Sequence, residues 1–244
     1  MTPRSPRARR TTVVACATGL LLAVAFPPRV MSQSSSAVEF AGLARYRAAN
    51  AALGAPQPGT SRVVFFGNSI TEGWARHFAT MFPGRPYVGR GISGQTTAQM
   101  LLRFRQDVVA LKPAAVVILA GTNDIAGNTG PATLEEIQDN LAAMAELAQA
   151  SGIKVLLCAI LPVYDYPWKP GLQPAPKIIA INRWLKAYAA QRGATFVDYH
   201  TPFADERGGM RPEHAADGVH PTDAGYRIMA GIVEPLIQSA LSKR

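Results

Sequence analysis

Cysteine is scarce in this 244-residue chain, which contains only Cys16 and Cys158. Paired cysteines, a His-x-x-x-His motif and a dense acidic cluster are all missing, so we expect no metal and no other cofactor. Cys158 lies in the apolar run Lys154-Val-Leu-Leu-Cys-Ala-Ile-Leu161. We therefore expect a buried, unreactive thiol at this position.

Charge is also limited, since Asp, Glu, Lys and Arg make up 17% of the residues. Lys and Arg outnumber Asp and Glu by 25 to 16, but five of the arginines lie within residues 1–32, which contain no acid. The other basic residues are scattered among acids, without a run that could follow a phosphate backbone, so the sequence disfavours a nucleic-acid partner. The 48% hydrophobic content and the absence of a glycine period exclude disordered and collagen-like chains.

No apolar run of the chain reaches the roughly 20 residues that a membrane-spanning helix needs. Thr12 to Phe26 follows an arginine-rich stretch and has the length of the apolar core of a secretory signal. We therefore predict that residues 1–32 are an export signal, cleaved after Ser32 or earlier, after Ala25. The mature protein would be periplasmic or secreted, without stable membrane insertion. Two alternatives stay open: an uncleaved N-terminal anchor and lipidation of Cys16.

From residue 60 onwards, short apolar runs alternate with amphipathic segments, which predicts strands alternating with helices. Uninterrupted apolar strands are typical of parallel sheets that helices cover on both faces. We predict one domain over residues 60–244, a three-layer α/β/α sandwich with a five-stranded parallel sheet, preceded over residues 33–59 by a linker and a helix at Val38–Leu53. The predicted strands are Val63–Phe66, Tyr87–Gly89, Ala115–Ala120, Val155–Ile160 and Thr195–Val197. The predicted helices are Thr71–Met81, Thr96–Leu111, Leu134–Ser151, Pro176–Gln191 and Thr222–Leu241.

Polar and glycine residues follow the predicted strands, at the edge where such sheets bind ligands. Ser69 stands at a strand-to-helix turn. Such a turn would expose the hydroxyl of a nucleophilic serine, but a serine at this position could also simply cap the helix. Asn123 could donate to a developing oxyanion or form an Asx-turn, and backbone N–H groups could converge at the glycine-rich turn around Gly94. Of the four histidines, His220 has a carboxylate, Asp217, three residues upstream, which suits a general base and its orienting partner as well as a solvated loop.

In chain order these motifs read Gly-Asn-Ser, Gly-x-x-Gly, Gly-x-Asn-Asp and Asp-x-x-His-Pro. The series resembles the SGNH hydrolases, also called the GDSL esterase/lipase family, over about residues 63–233. The resemblance implies a flavodoxin-like α/β fold and a serine esterase. By the same resemblance, Ser69 would be the nucleophile, His220 the general base and Asp217 the residue that orients it, although some family enzymes use a backbone carbonyl in this third role.

The resemblance also implies an oxyanion hole, formed by the backbone N–H groups of Ser69 and Gly94 and by the side chain of Asn123. The chain departs from the family pattern on either side of the nucleophile, where the family's Asp is Asn68 and its Leu is Ile70. Neither side chain has to transfer a proton. We therefore expect altered local hydrogen bonding and retained activity.

A proline-rich loop after the fourth predicted strand carries Tyr164, Tyr166 and Trp168. These rings could stack on a sugar or an aryl leaving group, or could cover the edge of the core. The short lead from Ser69 into its helix leaves little sequence for a long acyl tunnel. We expect a carbohydrate or other small-molecule ester as substrate and hydrolysis of short acyl groups, first of all O-acetyl groups on carbohydrates. The alternatives are a lysophospholipase, lipase or thioesterase of the same family, a non-catalytic carbohydrate-binding relative and an acyltransferase.

Overall fold

The computed structural model describes residues 1–2 and 37–242. The chain divides into two units, Met1–Ser34 and Ser35–Arg244, and every element named below belongs to the second unit. The predicted export signal, apart from its first two residues, lies outside the described residues, as does Cys16. Within the described ranges, no helix combines the length and the hydrophobicity needed to cross a membrane.

The centre of the described domain is one sheet of five parallel strands. The strands are β1 (Val63–Gly67), β2 (Tyr87–Gly91), β3 (Ala115–Leu119), β4 (Lys154–Cys158) and β5 (Thr195–Val197). Their order across the sheet is β2-β1-β3-β4-β5, so β1 and β3 lie at its centre. Val63 pairs with both Tyr87 and Ala115, which brings the carboxyl ends of β1, β2 and β3 to the same edge. The predicted parallel sheet is confirmed.

Helices cover both faces of this sheet. They are α1 (Ala37–Ala41), α2 (Arg47–Leu53), α3 (Ser69–Ala75), α4 (Phe78–Met81), α5 (Thr97–Asp107), α6 (Thr122–Ile125), α7 (Leu134–Ala150), α8 (Ala175–Gln191) and α9 (Asp223–Ser242). Val64 and Phe66 of β1 pack with α5, α7 and α8, whereas Val63 and Phe65 pack with α3, α4 and α9. Because alternate residues of β1 enter opposite layers, the arrangement is the predicted three-layer sandwich.

Two predicted helices are each divided in two by the structure. The segment predicted as one helix over Val38–Leu53 forms α1 and α2, and Gly42 follows α1 with a φ of +65°. The helix predicted over Thr71–Met81 begins at Ser69 and is interrupted at His77, whose N–H donates to the carbonyl three residues before it. Such a tightened turn ends a helix. Apolar spacing continues across both interruptions, so periodicity alone does not reveal them.

The one cysteine that the structure describes lies in the core. Cys158 is at the end of β4, with 1% of its surface exposed. Burial raises the pKa of its thiol, because a thiolate would be poorly solvated there. The prediction of a buried thiol at this position is confirmed, and a thiol in this protonation state is a poor nucleophile.

Candidate active site

The predicted site residues converge at the carboxyl edge of the sheet. Ser69 is the first residue of α3, directly after β1, and it is partly buried. Gly94 lies in the exposed turn between β2 and α5, and Asn123 lies in α6 immediately after β3. His220 comes from the loop before α9, and its ring contacts the Ser69 side chain. Three strand ends and one loop therefore meet around Ser69.

Ser69, His220 and Asp217 form a continuous chain of hydrogen bonds. Ser69 Oγ lies 2.9 Å from His220 Nε2, and His220 Nδ1 lies 2.6 Å from Asp217 Oδ2. An ionised carboxylate only accepts hydrogen bonds, so Nδ1 carries the ring proton and Nε2 accepts the hydrogen bond from the serine hydroxyl. This is the arrangement in which a histidine can remove the proton of a serine.

Asp217 is held in its ionised form by its own loop. Its Oδ1 accepts the backbone N–H groups of Val219 at 2.9 Å and of His220 at 2.7 Å. Partial burial raises the pKa of Asp217, but these backbone hydrogen bonds and the bond from the His220 ring outweigh it, so that the pKa is lowered. The carboxylate therefore remains charged well below neutral pH and keeps the imidazole oriented.

Asn68, which replaces the family's Asp, caps the helix that carries Ser69. Its side chain is 1% exposed, and its Oδ1 accepts the N–H of Ile70 at 3.3 Å. An N-cap bond of this kind satisfies one of the free N–H groups at the start of a helix. The amide thus fixes the turn on which Ser69 stands and takes no part in the hydrogen-bond chain to His220.

The turn around Gly94 and the side chain of Asn123 are joined directly. Asn123 is 3% exposed, and its Nδ2 donates to the carbonyl of Gln95 at 2.9 Å. A side-chain amide has two N–H groups, so the second one can serve another acceptor. The carbonyl of Gly94 in turn accepts Nδ2 of Asn128 at 3.1 Å. These bonds hold the two predicted oxyanion-hole segments next to each other.

Two buried side chains that the sequence analysis did not identify support these segments. Arg103 of α5 is fully buried, and it donates to the Gly67 carbonyl at 2.9 Å and to Gln95 Oε1 at 2.6 Å while pairing with Asp107 at 3.1 Å. Asp124 accepts the N–H of Thr97 at 2.9 Å, and burial raises the pKa of its carboxyl. The only sequence signal for Arg103 is its charge four residues before Asp107 on an otherwise apolar helix face.

The aromatic loop places two of its three rings at the surface. Tyr164 is 52% exposed and Trp168 is 46% exposed, and the centre of the Trp168 ring lies 6.4 Å from that of His220. Tyr166 is fully buried, its hydroxyl donates to the Thr122 carbonyl at 2.9 Å, and burial raises its pKa to about 12. Tyr166 therefore has no surface with which to bind a substrate, and the prediction of that role is corrected to one of anchoring the loop.

A serine bonded to a histidine–carboxylate pair is the arrangement that serine hydrolases use, and here it lies at the carboxyl edge of a parallel α/β/α sandwich. Residues 65–228 match the model of the GDSL-like lipase/acylhydrolase family, and the chain belongs to this family. The predicted family is thereby confirmed, and the protein is a carboxylic ester hydrolase.

Individual relatives agree with this assignment. The chain is 32% identical over 188 residues to Esterase TesA of Pseudomonas aeruginosa, in a match that covers 75% of this chain and 87% of that protein. It is 27% identical over 221 residues to an acetylxylan esterase of Xylanibacter ruminicola, covering 75% of this chain and 44% of that protein. A solved GDSL-like lipase from Bacteroides thetaiotaomicron is 48% identical, with a TM-score of 0.80, and covers 83% of this chain and 100% of its own.

Proposed function

We propose that this protein is a serine esterase that removes short acyl groups, in the first place O-acetyl groups from carbohydrates. The observation that carries the proposal is the chain of hydrogen bonds from Ser69 Oγ through His220 to Asp217, with heavy-atom distances of 2.9 and 2.6 Å. We assign Ser69 as the nucleophile, His220 as the general base and Asp217 as the residue that orients the base.

In the first half of the reaction, Ser69 Oγ attacks the ester carbonyl carbon while His220 Nε2 takes the hydroxyl proton. The resulting oxyanion would accept hydrogen bonds from the N–H groups of Ser69 and Gly94 and from Nδ2 of Asn123. When the tetrahedral intermediate collapses, the bond to the alcohol oxygen breaks and His220 returns the proton to that oxygen. The products of this half are the free alcohol and an acyl ester on Ser69.

In the second half, His220 takes a proton from water, and the hydroxide oxygen attacks the acyl carbon through the same oxyanion hole. The bond to Ser69 Oγ then breaks, and His220 gives its proton to the serine oxygen. Carboxylic acid leaves, and the enzyme regains its starting state. Asp217 stays ionised throughout and stabilises the imidazolium that forms twice in each cycle.

The walls near Ser69 support a short acyl group. A cavity of about 10 Å³ is lined by Asn68 and Ile70, the chain neighbours of Ser69, and by Ile160, Leu161 and Val163. Each of these side chains is at most 3% exposed, so the walls are close-packed core. A long alkyl chain could enter here only by displacing core side chains, which is costly in a densely packed interior.

The exposed rings of the aromatic loop support a carbohydrate on the alcohol side. Trp168 lies close to His220, and a flat ring at the rim of a site can stack on a sugar face. The Xylanibacter ruminicola relative is named an acetylxylan esterase. The name agrees with an acetylated polysaccharide as the substrate of this chain.

The acyl preference is tested with p-nitrophenyl esters of increasing chain length. We expect kcat/KM to be highest for the acetate and to fall by about 10-fold or more by the octanoate, because each extra methylene would need room in a packed wall. The measurement is the initial rate for acetate, butyrate, octanoate and palmitate with one enzyme preparation. If octanoate or palmitate is cleaved fastest, a lipase function replaces the one proposed.

The alcohol-side role of Trp168 is tested by the substitution Trp168→Ala. We expect KM for an acetylated xylooligosaccharide to rise by about 3- to 10-fold, since an aromatic contact contributes about 0.5–1.5 kcal/mol. The rate with p-nitrophenyl acetate should change less, because its small leaving group reaches less of the rim. Trp184→Ala, which removes a ring stacked on Tyr188 of α8, is the matched control. Equal KM values for wild type and Trp168→Ala would refute the subsite.

A further inference from the structure

Glu72 connects three separate parts of the chain beside Ser69. It lies in the first turn of α3, three residues after Ser69. Its Oε2 accepts both the backbone N–H of Ser93, at 2.8 Å, and the Ser93 hydroxyl, at 2.5 Å. Its Oε1 accepts a guanidinium N–H of Arg45, at 2.9 Å. One carboxylate thus holds the helix of the nucleophile, the turn before Gly94 and the segment between α1 and α2.

The backbone around this carboxylate is already tightly packed. A Cβ atom on Gly91, at the end of β2, would lie 2.2 Å from the Glu72 nitrogen and 2.6 Å from the Asn68 carbonyl oxygen, so only glycine fits there. The N–H of Ile92 donates to the Gly67 carbonyl at 3.2 Å. The turn therefore leaves β2 in direct contact with the first turn of α3.

Beyond Ile92, the Gln95 N–H donates to the Ile92 carbonyl at 3.3 Å and closes the turn, and the side chain of Glu72 adds its contacts to this backbone bond. Ser93 and Gly94 are both exposed, and Gly94 has a φ of +78°, which glycine adopts readily because it lacks a Cβ atom. The Gly94 N–H belongs to the peptide group that follows Ser93. Glu72 binds the N–H of the preceding peptide group and the hydroxyl of Ser93, so it fixes the residue from which the peptide carrying the Gly94 N–H extends.

The charge of Glu72 suits this contact. Burial raises the pKa of the carboxyl, but the hydrogen bonds from Ser93 and Arg45 outweigh the burial and lower it. Hydrogen bonds to an ionised carboxylate are shorter and stronger than those between neutral groups. Glu72 is only partly exposed, with 19% of its side chain accessible, so solvent competes weakly for its oxygens.

We propose that Glu72 is a positioning residue for the oxyanion hole: by binding Ser93, it aims the N–H of Gly94 at the oxygen that becomes negative during the reaction. The inference rests on the proposed function, because it assumes that the Gly94 N–H stabilises the oxyanion. It adds a role to a side chain whose hydrogen bonds go to Ser93 and Arg45 and not to the Ser69–His220–Asp217 chain.

The test compares Glu72→Ala, Glu72→Gln and Ser93→Ala with the wild type. For each we would measure kcat and KM for p-nitrophenyl acetate and the inhibition constant of phenylboronic acid, which forms a tetrahedral adduct on a reactive serine. We expect Glu72→Ala to lower kcat by about 10-fold and to raise the inhibition constant by a similar factor, with KM within about 2-fold. Glu72→Gln and Ser93→Ala, which each retain part of the contact, should lie between Glu72→Ala and the wild type.

Two controls separate this role from a structural one. Glu146→Ala removes a comparable Glu–Arg pair, with Arg192 at 3.0 Å, between α7 and the end of α8, and should leave kcat and the inhibition constant unchanged. A thermal melt identifies any variant that fails to fold. If Glu72→Ala fails to fold, the kcat and the inhibition constant of the isosteric Glu72→Gln decide whether Glu72 has the proposed role. Folded Glu72 variants with a wild-type kcat and a wild-type boronate constant would overturn the proposal, even if their melting temperatures fell.

The same experiments keep this inference distinct from the proposed function. Ser69→Ala is assayed in parallel under the same conditions. If Ser69→Ala retains hydrolysis, the proposed function itself fails. If Ser69→Ala is inactive while the Glu72 variants match the wild type in kcat and in the boronate inhibition constant, the esterase function stands and only the role of Glu72 is rejected.

Discussion

Replacing Ser69 by alanine is expected to lower kcat for p-nitrophenyl acetate by about 10³-fold or more. The substitution removes the attacking oxygen, and His220 and Asp217 then have no nucleophile to activate. The effect on folding should be small, because the hydroxyl of Ser69 is bonded to the partly exposed His220 ring and not to the core. Residual activity would come from the oxyanion hole and substrate binding alone.

The measurement for Ser69→Ala is the steady-state rate of purified, folded protein, with the mutant's circular dichroism spectrum as the test of folding. Ser151→Ala serves as the matched control, since the Ser151 hydroxyl donates to the Leu147 carbonyl at the end of α7. We expect this control to hydrolyse the ester at the wild-type rate. A Ser69→Ala protein as fast as the wild type would remove the nucleophile assignment.

Replacing Asn123 by alanine is expected to lower kcat by about 10²–10³-fold, which is the usual effect of losing one oxyanion-hole donor. The amide is buried, and one of its N–H groups is engaged by the Gln95 carbonyl, so the side chain is fixed before substrate arrives. A donor that is already oriented stabilises the developing charge without reorganisation. KM should change much less than kcat, because the contact strengthens only in the transition state.

Asn123→Asp gives a shape-matched comparison for this prediction. The aspartate has nearly the same size, but it presents oxygens and a negative charge where the amide presents a donor. We expect it to lose at least as much activity as Asn123→Ala, since it repels the oxyanion. If a folded Asn123→Asp protein keeps the wild-type kcat, an oxyanion-hole role for Asn123 is excluded. The aspartate retains the shape of the side chain but has lost the N–H donor.

The fold could be predicted from sequence because its main signals are local. Runs such as Val116-Val-Ile-Leu119 are apolar on both faces, as a central parallel strand must be, and the structure places them in the buried centre of the sheet. The order of the strand-end motifs pointed to the family, and the family match over residues 65–228 confirms it. The sequence also placed Asp217 close enough to reach His220, and the structure shows that contact.

The parts that could not be predicted depend on contacts between distant residues. Nothing near Tyr166 in the sequence indicates that its ring enters the core to reach Thr122, 44 residues away, whereas the flanking rings stay outside. The bond between Arg103 and Gly67 spans 36 residues, and that between Glu72 and Ser93 spans 21. Such contacts follow from the packing of strand ends, which periodicity and spacing along one segment do not encode.

The central claim, that Ser69 is the nucleophile, is tested most directly by covalent labelling. The folded protein would be treated with a fluorophosphonate, which phosphonylates an activated serine hydroxyl and releases fluoride, and the modified peptide would be identified by mass spectrometry. We predict one adduct per chain, on Ser69, with loss of esterase activity in proportion to labelling and no adduct in Ser69→Ala. Stoichiometric labelling of a different residue, or full inhibition with Ser69 unmodified, would contradict the account.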